Sequence, residues 1–267
     1  MSGVRSWTTA CGGDMPAFIA VPEGDAKVPA VIVLHERYGL VRHTRDLAER
    51  FARDGFVAVA PDFFFQHPDQ QALHRGDAGC DLTDPEAVRG LAAAIDALTE
   101  VPQADPARLA VMGVCQTGRH PLVLAASHPI AAALVWYGSA QPREWKVNGK
   151  YPRALEDIIA AIDCPVLGMF GETDHLISID DVRRFRDCLE RNAKAYRINV
   201  YRDAPHGWLN DTMPGRYRRA QAEAAWAEQR AFLQEIFAPG HDRSRRMQRY
   251  AADTAADYDF SRNVRQE

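Results

Sequence analysis

The feature that most constrains the fold is an alternation of short apolar runs with longer segments of helical period. The runs are bounded by Gly, Pro and polar residues and are short enough to be buried strands. The predicted strands cover residues 17–21, 29–35, 56–60, 108–112, 131–136, 165–170 and 196–201, and the predicted helices cover residues 42–54, 83–101, 116–127, 154–161, 180–192 and 216–237. Strands separated by helices pair in parallel through right-handed crossovers. We therefore predict an α/β fold with a mostly parallel central sheet and helices on both faces.

Length and composition predict one enzyme-sized domain with a short extension. The chain has 267 residues, of which 46% are apolar and 25% are charged, as in ordinary globular proteins. The composition becomes polar from Pro239 onward and includes the charged run Asp242-Arg243-Ser244-Arg245-Arg246. We predict a main domain over residues 1–238 and an extension over residues 239–267. The extension is either a solvated tail or a segment that packs on the body or on a second copy of the chain.

Charge and cysteine usage argue against several classes of partner and cofactor. The formal net charge is −4, so no basic field favours nucleic acid or an anionic membrane. No apolar stretch has the length of a signal peptide core or a membrane-spanning helix, and we expect a cytoplasmic protein. The five cysteines lack the paired spacing of zinc sites or disulfide frameworks. We expect reduced thiols, with Cys164 and Cys188 in the core, and neither a metal nor a cofactor.

One cysteine has a chemical context. The apolar run at 109–112 leads into Gly113-Val114-Cys115-Gln116-Thr117-Gly118, which opens a predicted helix. A strand, a sharp turn and a helix expose a nucleophile above the edge of a sheet. A helix N-terminus and a neighbouring histidine also favour the reactive thiolate. Cys115 is therefore the candidate nucleophile.

Two later motifs supply a candidate acid and base. Gly171-Glu172-Thr173-Asp174-His175 follows one predicted strand, and Ala204-Pro205-His206-Gly207-Trp208 follows another. Cys115, Asp174 and His206 then occur in the order nucleophile, acid, base that α/β-hydrolases use. Singly, each has an ordinary alternative, namely a core thiol, a capping carboxylate and a loop imidazole. Their joint order and strand-end positions favour catalysis.

Backbone amides are the candidate oxyanion donors. In this arrangement one donor is the N–H of the residue after the nucleophile, here Gln116. The other comes from the turn after an early strand, which is Leu34-His35-Glu36-Arg37-Tyr38-Gly39. We predict the amide of Arg37 as this second donor.

Several motifs together resemble the dienelactone hydrolase family over about residues 15–237. They are Val33-Leu34-His35-Glu36-Arg37-Tyr38-Gly39-Leu40, Ala60-Pro61-Asp62-Phe63, Gly113-Val114-Cys115, Gly171-Glu172-Thr173-Asp174 and His206-Gly207. The resemblance implies an α/β-hydrolase fold and an acyl-enzyme on Cys115 that water hydrolyses. It also implies that Glu36 restrains the thiol at rest and takes its proton when substrate arrives.

The chain departs from the family pattern at three positions. Thr117 stands where the elbow pattern has glycine, so a β-branched side chain must fit close to the sheet. Arg119 replaces a small residue. Asn210 occupies the position four residues after the histidine, where the family carries an arginine for the substrate carboxylate. We therefore expect poorer hydrolysis of a dicarboxylate lactone than in relatives with that arginine.

The sequence thus predicts a cofactor-independent hydrolase that acts on a small ester or lactone. Candidate substrate-binding residues are Phe63, Arg75, Trp208 and Asn210. An alternative activity is hydrolysis or acyl transfer of another ester or thioester. A further alternative is a catalytically silent binding protein on the same scaffold, since fold alone does not fix function.

Overall fold

The computed structural model describes residues 3–242 and 247–267. Within these residues one sheet of nine strands has the order β1-β2-β4-β3-β5-β6-β7-β8-β9. The strands are β1 Val4–Cys11, β2 Met15–Pro22, β3 Val28–Val33, β4 Val57–Pro61, β5 Ala104–Val114, β6 Ala132–Trp136, β7 Val166–Gly171, β8 Tyr196–Tyr201 and β9 Gln248–Ala252. β2 pairs antiparallel with both β1 and β4, and the other neighbours pair in parallel.

Helices cover both faces of the sheet, which confirms the predicted fold class. They are α1 Arg42–Arg53, α2 Gln70–Arg75, α3 Asp84–Thr99, α4 His120–Ala125, α5 Leu155–Ala161, α6 Ile179–Arg191 and α7 Arg219–Ile236. Along β5, Leu109 and Val111 join a core with α3 to α6, whereas Ala110 and Met112 join a core with α1 and α7. This alternation follows from the period of two along a strand. The carboxyl ends of the parallel strands therefore form one edge, where turns from several strands meet.

The helix after the candidate nucleophile begins later than its apolar pattern predicts. Residues 115–117 form a 3₁₀ turn and α4 begins at His120. Pro121 lacks an amide hydrogen and fits only in a first helical turn, so it fixes the start of α4. The predicted start of α3 is confirmed, because Thr83 caps the helix and exchanges reciprocal hydrogen bonds with Glu86.

Strands β1 and β9 and helix α2 are not predicted from the sequence. β1 lies at one end of the sheet and is mostly exposed, so it lacks an apolar run. β9 lies at the other end and pairs with β8. Residues 247–267 thus pack on the body, while residues 243–246 of the charged run lie outside the described residues. No helix in the described part of the chain has the length and apolar character needed to cross a membrane.

Candidate active site

The turn after β5 holds Cys115 in a strained conformation. Its φ is +55°, in the left-handed region that L residues other than Gly, Asn and Asp rarely adopt. Val114 before it is buried, whereas Cys115 is partly exposed. The backbone of Gly138 packs closely against this turn. A side chain at position 138 would not fit, because its Cβ would lie 2.6 Å from the Cys115 carbonyl oxygen. The sharp turn therefore presents the sulfur above the carboxyl edge of the sheet.

His206 contacts this sulfur, and Asp174 contacts His206. His206 Nε2 lies 3.0 Å from Cys115 Sγ, and His206 Nδ1 lies 2.8 Å from Asp174 Oδ2. The second oxygen of Asp174 accepts hydrogen bonds from the amides of Leu176 and Ile177 at 2.7 and 3.2 Å. These amides fix the carboxylate, and the carboxylate in turn fixes the imidazole with Nε2 toward the sulfur.

His206 is poised to hold a proton. Burial acts to lower its pKa, but the charges and hydrogen bonds of Asp174 and Cys115 oppose burial and raise the pKa well above its ordinary value. The ring of Tyr137 lies edge-on to the imidazole with the centroids 5.3 Å apart. The imidazole is thus 4% exposed and held between a carboxylate, a sulfur and an aromatic wall.

The two predicted oxyanion donors remain open. The backbone N–H groups of Arg37 and Gln116 have no acceptor among the described residues. Their side chains are bound elsewhere: Arg37 Nη2 donates to the carbonyls of Gly76 and Ala78, and Gln116 Nε2 donates to the Cys80 carbonyl. The side chains therefore anchor the neighbouring loop while the two amides stay available for an anion.

His35 shapes the oxyanion turn as a neutral side chain. Its Nε2 accepts from the amide of Phe63 at 3.0 Å, so the ring proton lies on Nδ1, which donates to the Glu36 carbonyl at 2.7 Å. Burial lowers the pKa of His35 despite the opposing charges of Asp62 and Glu36, which agrees with this tautomer. The imidazole thereby links the turn to the segment after β4.

Glu36 is buried beside the candidate triad, and both of its carboxylate oxygens accept hydrogen bonds. Tyr137 donates its hydroxyl to Oε1 at 3.2 Å and Asn210 donates Nδ2 to Oε2 at 2.6 Å. Burial and the charges of Glu36 and Cys115 raise the pKa of Tyr137 well above its ordinary value, so its hydroxyl remains a donor. In this arrangement Cys115 bonds to His206, and Glu36 bonds to Tyr137 and Asn210.

The sequence analysis missed the part played by Tyr137. The available signal was its place directly after β6, at the same edge as the turns after β5 and β7.

Thr117 fits the elbow by hydrogen bonding. Its side chain is fully buried. Its Oγ1 accepts from the Val114 amide at 3.1 Å and lies 2.9 Å from the His35 carbonyl oxygen. The β-branched residue therefore ties the nucleophile turn to the oxyanion turn, a contact that glycine lacks.

The structure gives three of the predicted substrate-binding residues other contacts. Trp208 is fully buried and packs on Trp136 and Tyr201 with centroids 5.3 and 5.1 Å apart, so it belongs to the core. Asn210 is also fully buried, and its amide binds Glu36. Arg75, the last residue of α2, forms an exposed ion pair with Asp77.

Phe63 lies under the oxyanion turn. It packs edge-on to His35 at 5.8 Å, and a Cβ at Gly90 of α3 would lie 2.5 Å from its ring.

Arg119 is also buried, and its guanidinium forms hydrogen bonds with Asp84, of which the two shortest are 2.9 and 3.0 Å long. No group of three or more His, Cys, Asp or Glu suited to a metal ion occurs within residues 3–242 and 247–267.

Comparisons with known proteins identify the family of this chain. The model of the dienelactone hydrolase family matches residues 15–237. A Salmonella typhimurium protein provisionally named carboxymethylenebutenolidase is 34% identical over 231 residues, which cover 80% of each chain. A Klebsiella pneumoniae structure assigned as a dienelactone hydrolase has a TM-score of 0.77 and 28% identity, over 86% of this chain and 98% of that one. A metagenomic dienelactone hydrolase-like phosphotriesterase, at 22% identity and a TM-score of 0.70 over 88% of this chain and 99% of that one, shares the fold. The chain belongs to the dienelactone hydrolase family of hydrolases.

Proposed function

We propose that the protein hydrolyses a carboxylic ester or lactone through an acyl intermediate on Cys115, with His206 as base and Asp174 as the acid that orients it. The 3.0 Å contact between Cys115 Sγ and His206 Nε2 carries this proposal, because it joins a nucleophile to a base that is itself fixed by a carboxylate. Membership of the dienelactone hydrolase family supports the same chemistry.

Acylation follows from these contacts. His206 Nε2 takes the thiol proton while Sγ forms a bond to the carbonyl carbon of the substrate. The carbonyl oxygen becomes an oxyanion, to which the amides of Arg37 and Gln116 donate in this proposal. One such donor is worth about 3 kcal/mol of transition-state stabilisation. The intermediate then expels the alkoxide, which takes the proton from Nε2.

Deacylation restores the enzyme. His206 removes a proton from water, whose oxygen attacks the thioester carbon, and the sulfur leaves and recovers the proton. From a lactone, the leaving oxygen stays attached to the acyl group, so a single hydroxy acid is released. Esters and lactones suit a cysteine better than amides, because an amine leaves less readily than the sulfur unless it is strongly protonated.

Glu36 has a different place in this proposal from the one that the family resemblance implies. Its two oxygens bind Tyr137 and Asn210, whereas the thiol already bonds to a base. We therefore assign the thiol proton to His206. Glu36 holds the oxyanion turn and sets the negative potential near the sulfur.

Turnover of a panel of activated esters and lactones by the parent and by C115A tests the proposal. We expect C115A to lose turnover by at least about a thousandfold while its melting temperature is unchanged. The matched control is C80A, since Cys80 is also a partly exposed thiol but burial and the charge of Asp81 raise its pKa.

Labelling with iodoacetamide and peptide mapping give an independent readout. We expect Cys115 to react faster than Cys80 near neutral pH. Full turnover by C115A, or faster labelling of Cys80, contradicts the assignment of the nucleophile.

A further inference from the structure

Residues 247–267 lie outside the matched family region, yet they contact the catalytic edge of the sheet. The family model ends at residue 237. Strand β9 pairs with β8, and the chain then returns along the carboxyl edge, where the Asp253 amide donates to the Val200 carbonyl at 3.0 Å. The Tyr258 hydroxyl accepts from the Ile179 amide at 3.0 Å. The segment is therefore tied to the body at several points before it reaches the triad.

The first contact with the catalytic apparatus is through Asn263. Its Nδ2 donates to the carbonyls of Glu172 and Asp174, each at 3.0 Å. These two residues bracket the turn that carries the triad carboxylate. The reversed amide orientation would set Oδ1 against two carbonyl oxygens, so the acceptors fix the side chain. Both amide hydrogens are thus used on the backbone of one turn.

The side chain of Glu172 also anchors this turn. Glu172 is 2% exposed. Its carboxylate accepts from the Asp203 amide at 3.0 Å and from the Ala255 amide of the returning segment. Asn263 therefore bonds to the backbone of this turn, and Ala255 bonds to the side chain of Glu172 in the same turn.

A second contact reaches the oxyanion side. The Gln266 carbonyl accepts from Arg216 Nε at 2.8 Å, and Arg216 Nη1 donates to the Tyr38 hydroxyl at 3.2 Å. Arg216 is 8% exposed and lies against Gly207, the residue after the triad histidine. The end of the chain thus reaches the neighbourhood of His206 and of the oxyanion turn.

We propose that residues 247–267 form a positioning element of the active site, with Asn263 as the residue that fixes the turn bearing Asp174. This inference rests on the proposed triad. Asn263 touches no reacting atom and acts through Asp174 on His206. Displacement of a catalytic group by about 1 Å costs up to about a hundredfold in rate. Loss of the hydrogen bonds from Asn263 to the Asp174 turn is therefore expected to lower kcat.

The variants are N263A, which removes both donors, and N263D, which sets a carboxylate against the two carbonyls. We expect kcat to fall about tenfold or more in N263A and further in N263D, with KM within about twofold. The control is N192A, since Asn192 Nδ2 also donates to a backbone carbonyl, that of Cys188, at the far end of α6. N192A should keep the parent kcat.

Alkylation of Cys115 by iodoacetamide across pH separates positioning from a loss of stability. A loosely held Asp174 stabilises the imidazolium less, so the acid limb of the alkylation profile should move to higher pH in N263A while the melting temperature stays near that of the parent. A chain that ends at residue 262, which also lacks the Gln266 contact, should lose at least as much kcat as N263A.

Parent values of kcat and an unshifted alkylation profile in N263A and N263D overturn the positioning role. In that case inactivity of C115A still supports the proposed function. If C115A instead retains turnover, the proposed function fails, and the alkylation profile alone decides the role of Asn263.

Discussion

A buried carboxyl group behind the nucleophile turn makes protein stability depend on pH in a way that one substitution removes. Glu144 is 3% exposed, and its Oε2 lies 3.8 Å from Arg119 Nη1 without a hydrogen-bond partner among the described residues. The Arg119 guanidinium is already paired with Asp84. Two carboxyl groups thus compete for one cation, and Glu144 has the weaker contact. Burial raises its pKa from 4.5 to about 7, against the opposing charge of Arg119.

The direction of the pH dependence follows from the different proton affinities of the folded and unfolded states. The folded state binds the Glu144 proton more tightly than the unfolded chain, so the contribution of this group is largest below pH 4.5 and is lost as pH rises through about 7. The gap between the two pKa values corresponds to about 3 kcal/mol of unfolding free energy. E144Q keeps the shape without the charge. We expect it to gain about 3 kcal/mol over the parent between pH 4.5 and pH 8.

Urea unfolding of the parent and of E144Q at steps between pH 4.5 and pH 8 measures this difference directly. Other titrating groups are common to both proteins and cancel. E156Q serves as the control, because the Glu156 side chain is 57% exposed and its 3.7 Å ion pair with the exposed Arg191 contributes little to stability. A difference curve for E144Q that is flat refutes the reasoning. A curve that falls with pH shows instead that attraction to Arg119 outweighs burial.

Three further substitutions test the contacts around the oxyanion turn. T117V leaves the Val114 amide and the His35 carbonyl without the hydroxyl, and we expect it to lower the unfolding free energy by about 1–3 kcal/mol in urea titrations and to reduce kcat; an unchanged stability contradicts this. E36Q removes a buried negative charge near the sulfur, so the acid limb of the pH–rate profile for acylation should move to lower pH, and a profile that superimposes on that of the parent would leave Glu36 with a purely structural role. N210A removes the donor 2.6 Å from Glu36 Oε2 and should destabilise the protein by about 2–3 kcal/mol in urea titrations; an unchanged stability would contradict a stabilising role for this hydrogen bond.

Local patterns made the candidate triad predictable. Cys115, Asp174 and His206 each follow an apolar run, so strand order alone sends them to one edge of the sheet. The structure then brings their side chains within hydrogen-bond distance. Such signals are local in sequence and need no knowledge of the tertiary contacts.

The rest depended on contacts between distant parts of the chain. Trp208 lies two residues after His206 in sequence, but it is fully buried and packs in the core against Trp136. Asn263 reaches the Asp174 turn only because β9 pairs with β8, and β9 is too short and too polar to be recognised as a strand. Amphipathic patterning reports burial on an element, not the partner that a polar side chain finds across the fold.

Two of the three departures from the family pattern, Thr117 and Asn210, contact the same structural feature. Thr117 bonds at the His35 carbonyl, and Asn210 bonds at the carboxylate of Glu36, so both contact the oxyanion turn. An uncharged amide satisfies a single oxygen of Glu36 and leaves the buried negative charge uncancelled. An arginine would neutralise that charge and project a cation toward the substrate. In this chain the turn is therefore held by neutral donors, and a carboxylate on the substrate would meet the field of Glu36 without the compensating cation. For this reason we expect the enzyme to prefer a neutral ester or lactone over the lactone of a dicarboxylate.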